Sequence, residues 1–397
     1  MAATKTQETQ VLRGRLNGAG PPMDVHVRAG RVDAVLPAGK DRPNAGSTRA
    51  VVTPPLFDMQ VNGVAGYDLQ DPHLAPEHAA EITQRLAAMG VAQWVPTLVT
   101  AAPEQMEACC ANLARTFEDS RVAQAVPGIH IEGPHISPED GPRGAHPRAH
   151  VCPPDTKLLK RLVKAANGKI AYITIAPELP GAEAYIRAAR AQGIRVALGH
   201  HNATAEHIAA AVEAGASICT HLGNGGAVLL PRHHNPLWPQ LADDRLTASL
   251  IADGHHLPDP VLKTFVRAKG PKRTVIVSDC VQLLGLAPGG YELFESGVDL
   301  LPNGKVTLRG TSLLAGSATP LLAGVLHASR VTDLTLEQAC TCASRNPARL
   351  LGVRRRYALP EAGQQADFLC FTPHRGAFMP RMDAIYIAGR RIDTGKE

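Results

Sequence analysis

Strand-length apolar runs recur through the middle of this chain, and each gap between them has room for about one helix. The runs cover 56–61, 91–98, 126–131, 170–175, 194–198, 217–220, 248–252 and 275–278, eight in all. Between most of them lie Ala-rich stretches with helical spacing, over 76–89, 103–118, 180–192 and 205–214. Proline opens several of these stretches, and Gly90, Gly193 and Gly215 close three of them, the usual asymmetry of helix ends. Strands that are apolar on both faces and alternate with helices belong to a parallel sheet covered by helices. Eight of them predict an α/β fold, a (β/α)8 TIM-type barrel. The alternative, a doubly wound open sheet, lacks its Gly-x-Gly-x-x-Gly after the first run.

The ends of the chain have a different rhythm. Short alternating runs at 25–28 and 31–35, and again at 366–371 and 384–388, read as strands. Residues 1–52 and 357–397 are therefore expected to pair as one small β-sandwich domain beside a barrel domain over 53–356. Segment 286–316 interrupts the barrel pattern, and Pro302-Asn-Gly-Lys-Val306 reads as a hairpin turn. Residues 335–351 read as a helix. Hydrophobic residues at 44% and charged residues at 19% exclude wholesale disorder. A net charge of +5 with scattered basic residues and 4% aromatics argues against a nucleic-acid partner. No apolar run reaches the ~18 residues of a membrane helix, and the first ten residues carry no secretory signal. The eight cysteines form no short-domain framework. Most sit in apolar surroundings, which predicts reduced thiols in a cytoplasmic protein.

The ends of the predicted strands carry the polar residues. Asp58-Met-Gln60-Val-Asn62 follows the first, His130-Ile-Glu132 the third and Glu178 the fourth. Then come His200-His201-Asn202, Thr220-His221, Asp253-Gly-His255-His256 and Ser278-Asp279. In a parallel barrel these ends share one face, the face of barrel active sites. Taken singly, each His or Glu could equally be a buried side chain satisfying backbone groups; the constellation is what points to a site. Glu132, His200 and His221 suit zinc, two imidazoles and a carboxylate with a position left for water. Asp279 suits a group that takes a proton from that water and later gives it to a leaving group.

These motifs resemble the amidohydrolase superfamily and, within it, the N-acetylglucosamine-6-phosphate deacetylase family. The resemblance rests on Gly128-Ile-His-Ile-Glu-Gly-Pro-His-Ile-Ser-Pro-Glu139, Gly144-Ala-His-Pro147, Leu198-Gly-His-His-Asn-Ala-Thr204, Val277-Ser-Asp279, Leu314-Ala-Gly-Ser317 and Asn346-Pro-Ala-Arg349. It implies one divalent metal ion, with zinc expected, on Glu132, His200 and His221, and Asp279 as general base and acid. His146 and His256 would hold the sugar and the acyl carbonyl, and Asn224, Gly225 and Ala315 would contact the substrate. Gln60 and Asn62 stand where the superfamily has His-x-His; amides are poor ligands, so a single metal is expected. The implied reaction converts N-acetylglucosamine 6-phosphate to glucosamine 6-phosphate and acetate. The alternative is a deacylase of another N-acyl amino sugar or N-acyl amine lacking the phosphate. Arg232 lies where the family's phosphate-gripping arginine reaches a neighbouring subunit, which would make the protein a homodimer. The loop around it, Leu230-Pro-Arg-His-His-Asn-Pro-Leu-Trp238, departs from the family pattern. So do His201, read as packing toward the helices, and Leu222-Gly-Asn-Gly-Gly226, which removes bulk from the pocket.

Overall fold

The computed structural model describes residues 8–374 and 379–393. Its central sheet has eight parallel strands: β1 (Leu56–Val61), β2 (Val91–Val99), β3 (Ile129–Glu132), β4 (Ile170–Ile175), β5 (Arg195–Leu198), β6 (Ile218–Cys219), β7 (Thr247–Ile251) and β8 (Thr274–Val277). Each pairs with its neighbour in chain order, the topology of a (β/α)8 barrel. Every apolar run read from the sequence supplies one strand. The third starts later than expected, because Val126 caps the short helix Ser120–Ala125 and Pro127-Gly128 separates it from the ladder.

Alternate strand residues fill the inside of the barrel. Phe57 and Met59 of β1 meet Val95, Ala197, Ile218, Ile251 and Val275 in one buried cluster that Tyr357 closes. The residues between them face the helices. Helices Pro76–Ala88 and Pro103–Thr116 begin with the expected proline.

The expected helix over 335–351 is two helices, Leu336–Cys342 and Arg345–Leu351. Proline in a continuous helix would clash with the carbonyl four residues back, and for Pro347 that carbonyl belongs to Ala343. The break frees it, and it accepts the Phe57 N–H of β1 at 2.7 Å.

Strands β1 and β8 are joined differently from the others. A single bridge pairs Val61 with Cys280, and the Asn62 N–H donates to the Cys280 carbonyl at 2.7 Å. The Asp58 carboxylate completes the joint by accepting the backbone N–H groups of Ser278 at 3.2 Å and Gln60 at 3.3 Å. The Ser278 hydroxyl donates to the Gln60 carbonyl at 3.3 Å. A side chain thus stands in for part of a ladder.

Both chain ends enter one seven-stranded sheet, in the order Arg390–Arg391, Arg381–Ile387, Phe368–Thr372, Ala45–Thr53, Gln10–Leu16, Pro22–Arg28, Arg31–Pro37. The sheet rolls over until Arg31 bridges Gln365, so Leu12, Val25, Val52 and Phe368 from both halves share one core. The segment that interrupts the barrel pattern forms three antiparallel strands, Gly289–Leu293, Ser296–Leu300 and Val306–Leu308, with the expected turn between the last two. No helix among the described residues is long and apolar enough to cross a membrane.

Burial pushes the Asp58 carboxyl up to about 7, against the bonds from Ser278 and Gln60. The folded protein therefore keeps a proton that the unfolded chain releases near pH 4. That contribution to stability is complete below the unfolded value and is lost as the pH rises through the folded one, a decline of about 4 kcal/mol. Asp58→Asn should flatten this part of the stability profile when unfolding by urea is followed between pH 4 and pH 8.

Candidate active site

A cavity of about 1110 Å³ opens where the barrel strands end. Glu132 closes β3, and His200 and His221 lie two residues beyond the ends of β5 and β6. All three are buried. Glu132 Oε1 lies 3.0 Å from His221 Nε2 and 3.3 Å from His200 Nε2, and the two nitrogens are 3.1 Å apart. Ligand atoms held about 2.0–2.1 Å from a tetrahedral zinc sit ~3.3 Å from one another, so this triangle has the dimensions of one metal's coordination shell. His200 Nδ1–H donates to the Pro142 carbonyl at 2.9 Å, which leaves the Nε2 lone pair facing inward. Burial penalises the charge of Glu132, yet the two imidazoles beside it hold its carboxyl well below the usual carboxylate range.

Bringing these side chains inward bends the backbone. His200, His221 and Asp279 have φ of 54°, 29° and 51°, the left-handed region that non-glycine residues rarely occupy. Glycines make the space around them. A Cβ on Gly225 (φ +57°) would lie 2.8 Å from His200 Nδ1, and one on Gly144 (φ +60°) 3.2 Å from His200 Cε1, so the two loops can close on the ring only as glycines.

The amides on β1 turn their N–H groups toward carboxylates. Gln60 Nε2 donates to Glu132 Oε2 at 3.2 Å, and Asn62 Nδ2 donates to Asp279 Oδ1 at 2.8 Å. N–H donors thus occupy one oxygen of each of the two carboxylates. Burial, followed by the nearby Glu132 charge, pushes the Asp279 carboxyl up to about 6. Burial and His200 keep His146 neutral, its pKa well below the ordinary value. Thr100 offers its amide at 3.4 Å and its hydroxyl at 2.8 Å to His146 Nδ1, leaving the ring proton on Nε2. His256 Nδ1–H donates to Asp253 Oδ2 at 2.7 Å. Although burial opposes it, the His256 ring together with the His255 and His256 amides holds Asp253 at about 2.

Asn62, Glu132, His146, His200, His221, Asn224, Gly225, His256 and Asp279 all line the cavity. Gln60 touches it only through Glu132. Two predicted contacts are not brought there. Ala315 is 1% exposed and packs into the apolar cluster of the interrupting segment, while its neighbours Leu314 and Gly316 form the wall. Arg232 is exposed on its loop, outside the cavity. His201 lies against helix Leu237–Ala242, hydrogen-bonded to Gln240, and also borders the cavity. Sequence reasoning missed Thr100, Pro142 and Arg143, the last of which donates to the His146 carbonyl at 2.7 Å. It also missed the wall formed by Phe294 and Leu313. The Asp253–His256 pair could have been found from its spacing of three residues, whereas Thr100 has no signature of its own.

The amidohydrolase family model matches residues 51–391. The chain belongs to the amidohydrolase family. A Bos taurus N-acetylglucosamine-6-phosphate deacetylase is 34% identical, covering 91% of this chain and 89% of that protein. An Escherichia coli O157:H7 N-acetylgalactosamine-6-phosphate deacetylase is 32% identical, over 87% of this chain and 90% of that one. Among solved structures, a mutant of the Mycobacterium smegmatis N-acetyl-D-glucosamine-6-phosphate deacetylase in complex with N-acetyl-D-glucosamine-6-phosphate superposes with a TM-score of 0.83. It is 28% identical and covers 97% of this chain and 99% of its own.

A site of this shape binds an ion only when folded, so zinc should stabilise the native state, by about 4 kcal/mol at a thousandfold excess over Kd. Titrating metal-free protein with zinc while following thermal unfolding should raise the midpoint of the wild type. The same titration should leave Glu132→Gln and His221→Ala nearly unmoved.

Proposed function

We propose that the protein removes the acetyl group from N-acetylglucosamine 6-phosphate, using Glu132, His200 and His221 to hold one zinc ion and Asp279 to move the proton. The observation that carries this reading is the triangle of Glu132, His200 and His221 facing Asp279 across one cavity, in a chain resembling deacetylases along nearly its whole length. A divalent cation in the triangle supplies a Lewis acid and lowers the pKa of water toward neutrality.

The remaining steps belong to side chains. Asp279, with one oxygen held by Asn62, accepts a proton from the attacking water through the other. The His146 Nε2–H, fixed by Thr100 at the opposite nitrogen, donates to the oxygen that gains charge as the carbonyl carbon becomes tetrahedral. Asp279 then passes its proton to the departing nitrogen, releasing acetate and glucosamine 6-phosphate. His256, oriented by Asp253, and the 224–225 loop hold the sugar.

The rim of the cavity supports a homodimer. Val228 is 81% exposed, Leu229 88%, and Trp238 and Leu313 about half, an apolar surface beside the loop that carries Arg232. Covering it with a second copy would bring Arg232 to the phosphate bound in the partner's cavity, which fits its position outside its own. The eight free cysteines suit a reducing cytoplasm.

Acetate release by zinc-loaded protein tests the reading. N-acetylglucosamine 6-phosphate should be turned over, and N-acetylglucosamine without the phosphate should be poor. Equal turnover of the two would instead favour a deacylase indifferent to phosphate, and N-acetylgalactosamine 6-phosphate tests the 4-epimer. Asp279→Asn should lower kcat by about 10³-fold or more. Arg232→Ala should raise KM for the phosphorylated sugar alone, by about tenfold.

A further inference from the structure

Asn62 is 2% exposed, lines the cavity, and cannot turn away from it. Its backbone is committed on both sides, the N–H to the Cys280 carbonyl at 2.7 Å and the carbonyl to the Leu69 N–H at 3.1 Å. The 2.8 Å bond from Nδ2 to Asp279 Oδ1 fixes which way the amide faces, since the flipped amide would set oxygen against a carboxylate oxygen. Asn62 Oδ1 is thereby left buried with no hydrogen-bond partner among the described residues. Buried amide oxygens are nearly always paired, and an unpaired one in a native site calls for an explanation. No donor among the described residues reaches this one, so the donor comes from what the cavity holds.

We infer that Asn62 is a further catalytic residue, whose Oδ1 accepts the N–H of the scissile amide. The inference rests on the proton-transfer role proposed for Asp279, to which the same amide is bonded. In the substrate the amide nitrogen is conjugated with the carbonyl and has no lone pair free for a proton. Once water has added to the carbonyl carbon, the nitrogen becomes pyramidal and carries one N–H and one lone pair. Where the lone pair points is set by where the N–H is held. An acceptor joined to the acid by a hydrogen bond holds the N–H on one side and turns the lone pair toward Asp279. The proton passes from the Asp279 carboxyl to that lone pair, and the carbon–nitrogen bond breaks with its electron pair going to nitrogen. The carbonyl of acetate forms again, and the amine leaves with both its hydrogens. One side chain thus orients the acid through Nδ2 and the leaving group through Oδ1.

An ester lacks the N–H that Asn62 holds in this role. The 2-O-acetyl ester of glucose 6-phosphate keeps the acyl group and the phosphate but has oxygen in place of N–H. Zinc-loaded wild type, Asn62→Ala and the milder Asn62→Ser are assayed on N-acetylglucosamine 6-phosphate and on this ester. Within each protein the ratio of the two kcat/KM values is independent of how much enzyme is folded or metal-loaded. In both variants the ratio of amide to ester should fall by about tenfold, the worth of one buried hydrogen bond. An unchanged ratio, or equal loss on both substrates with complete loss included, overturns the inference. Failure of the proposed function itself looks different, because wild-type protein would then leave the amide intact.

Discussion

The interior of this barrel carries a negative charge, and the site is organised around keeping it. A carboxylate removed from water is costly unless it is paired and hydrogen-bonded. Glu132 has an imidazole within 3.3 Å on each of two sides and an amide N–H from Gln60. Those partners come from three different strand ends, and each requires something of its own surroundings. His200 requires the Pro142 carbonyl, a left-handed backbone and two glycines against its ring. His221 requires the Ser249 hydroxyl, which accepts its backbone N–H at 2.8 Å. The loops over the cavity are shaped as much by these demands as by any substrate.

Below this layer the barrel stays polar for one further level and then becomes apolar. His130 bonds to Thr174 at 2.8 Å, Thr174 bonds to Thr220 at 2.7 Å, and the imidazole stacks on Tyr172. Burial drives the pKa of His130 down to about 3, so the ring is a neutral spacer and not a second base. The charged chemistry is thus confined to a thin shelf at the strand ends, with a neutral hydrogen-bonded floor under it.

The barrel was legible because its signal is repetitive: eight apolar runs, each bounded by turn residues, become eight strands. Glu132, His200, His221 and Asp279 were legible as a group, because acids and imidazoles recur at the ends of strands that share one face of a parallel barrel. What stayed hidden depends on long-range geometry. The split of the predicted helix near Pro347 leaves the Ala343 carbonyl free for the N–H of Phe57 on β1, far away in the sequence. Ala315 was placed by resemblance, and the fold turns it into an apolar cluster. Thr100 and Pro142 act through a hydroxyl and a backbone carbonyl, which leave no compositional trace.

The joint between β1 and β8 gives the catalytic apparatus a definite birth time. Asp58 meets Ser278 across 220 positions, and Asn62 meets Asp279 across 217. These are the contacts that close the cylinder, and they also set Asp279 against the Asn62 amide. A growing chain that already contains Glu132, His200 and His221 still lacks Asp279, the base proposed above, until the eighth strand emerges and docks. Closing the ring and bringing Asp279 into the cavity are therefore the same event.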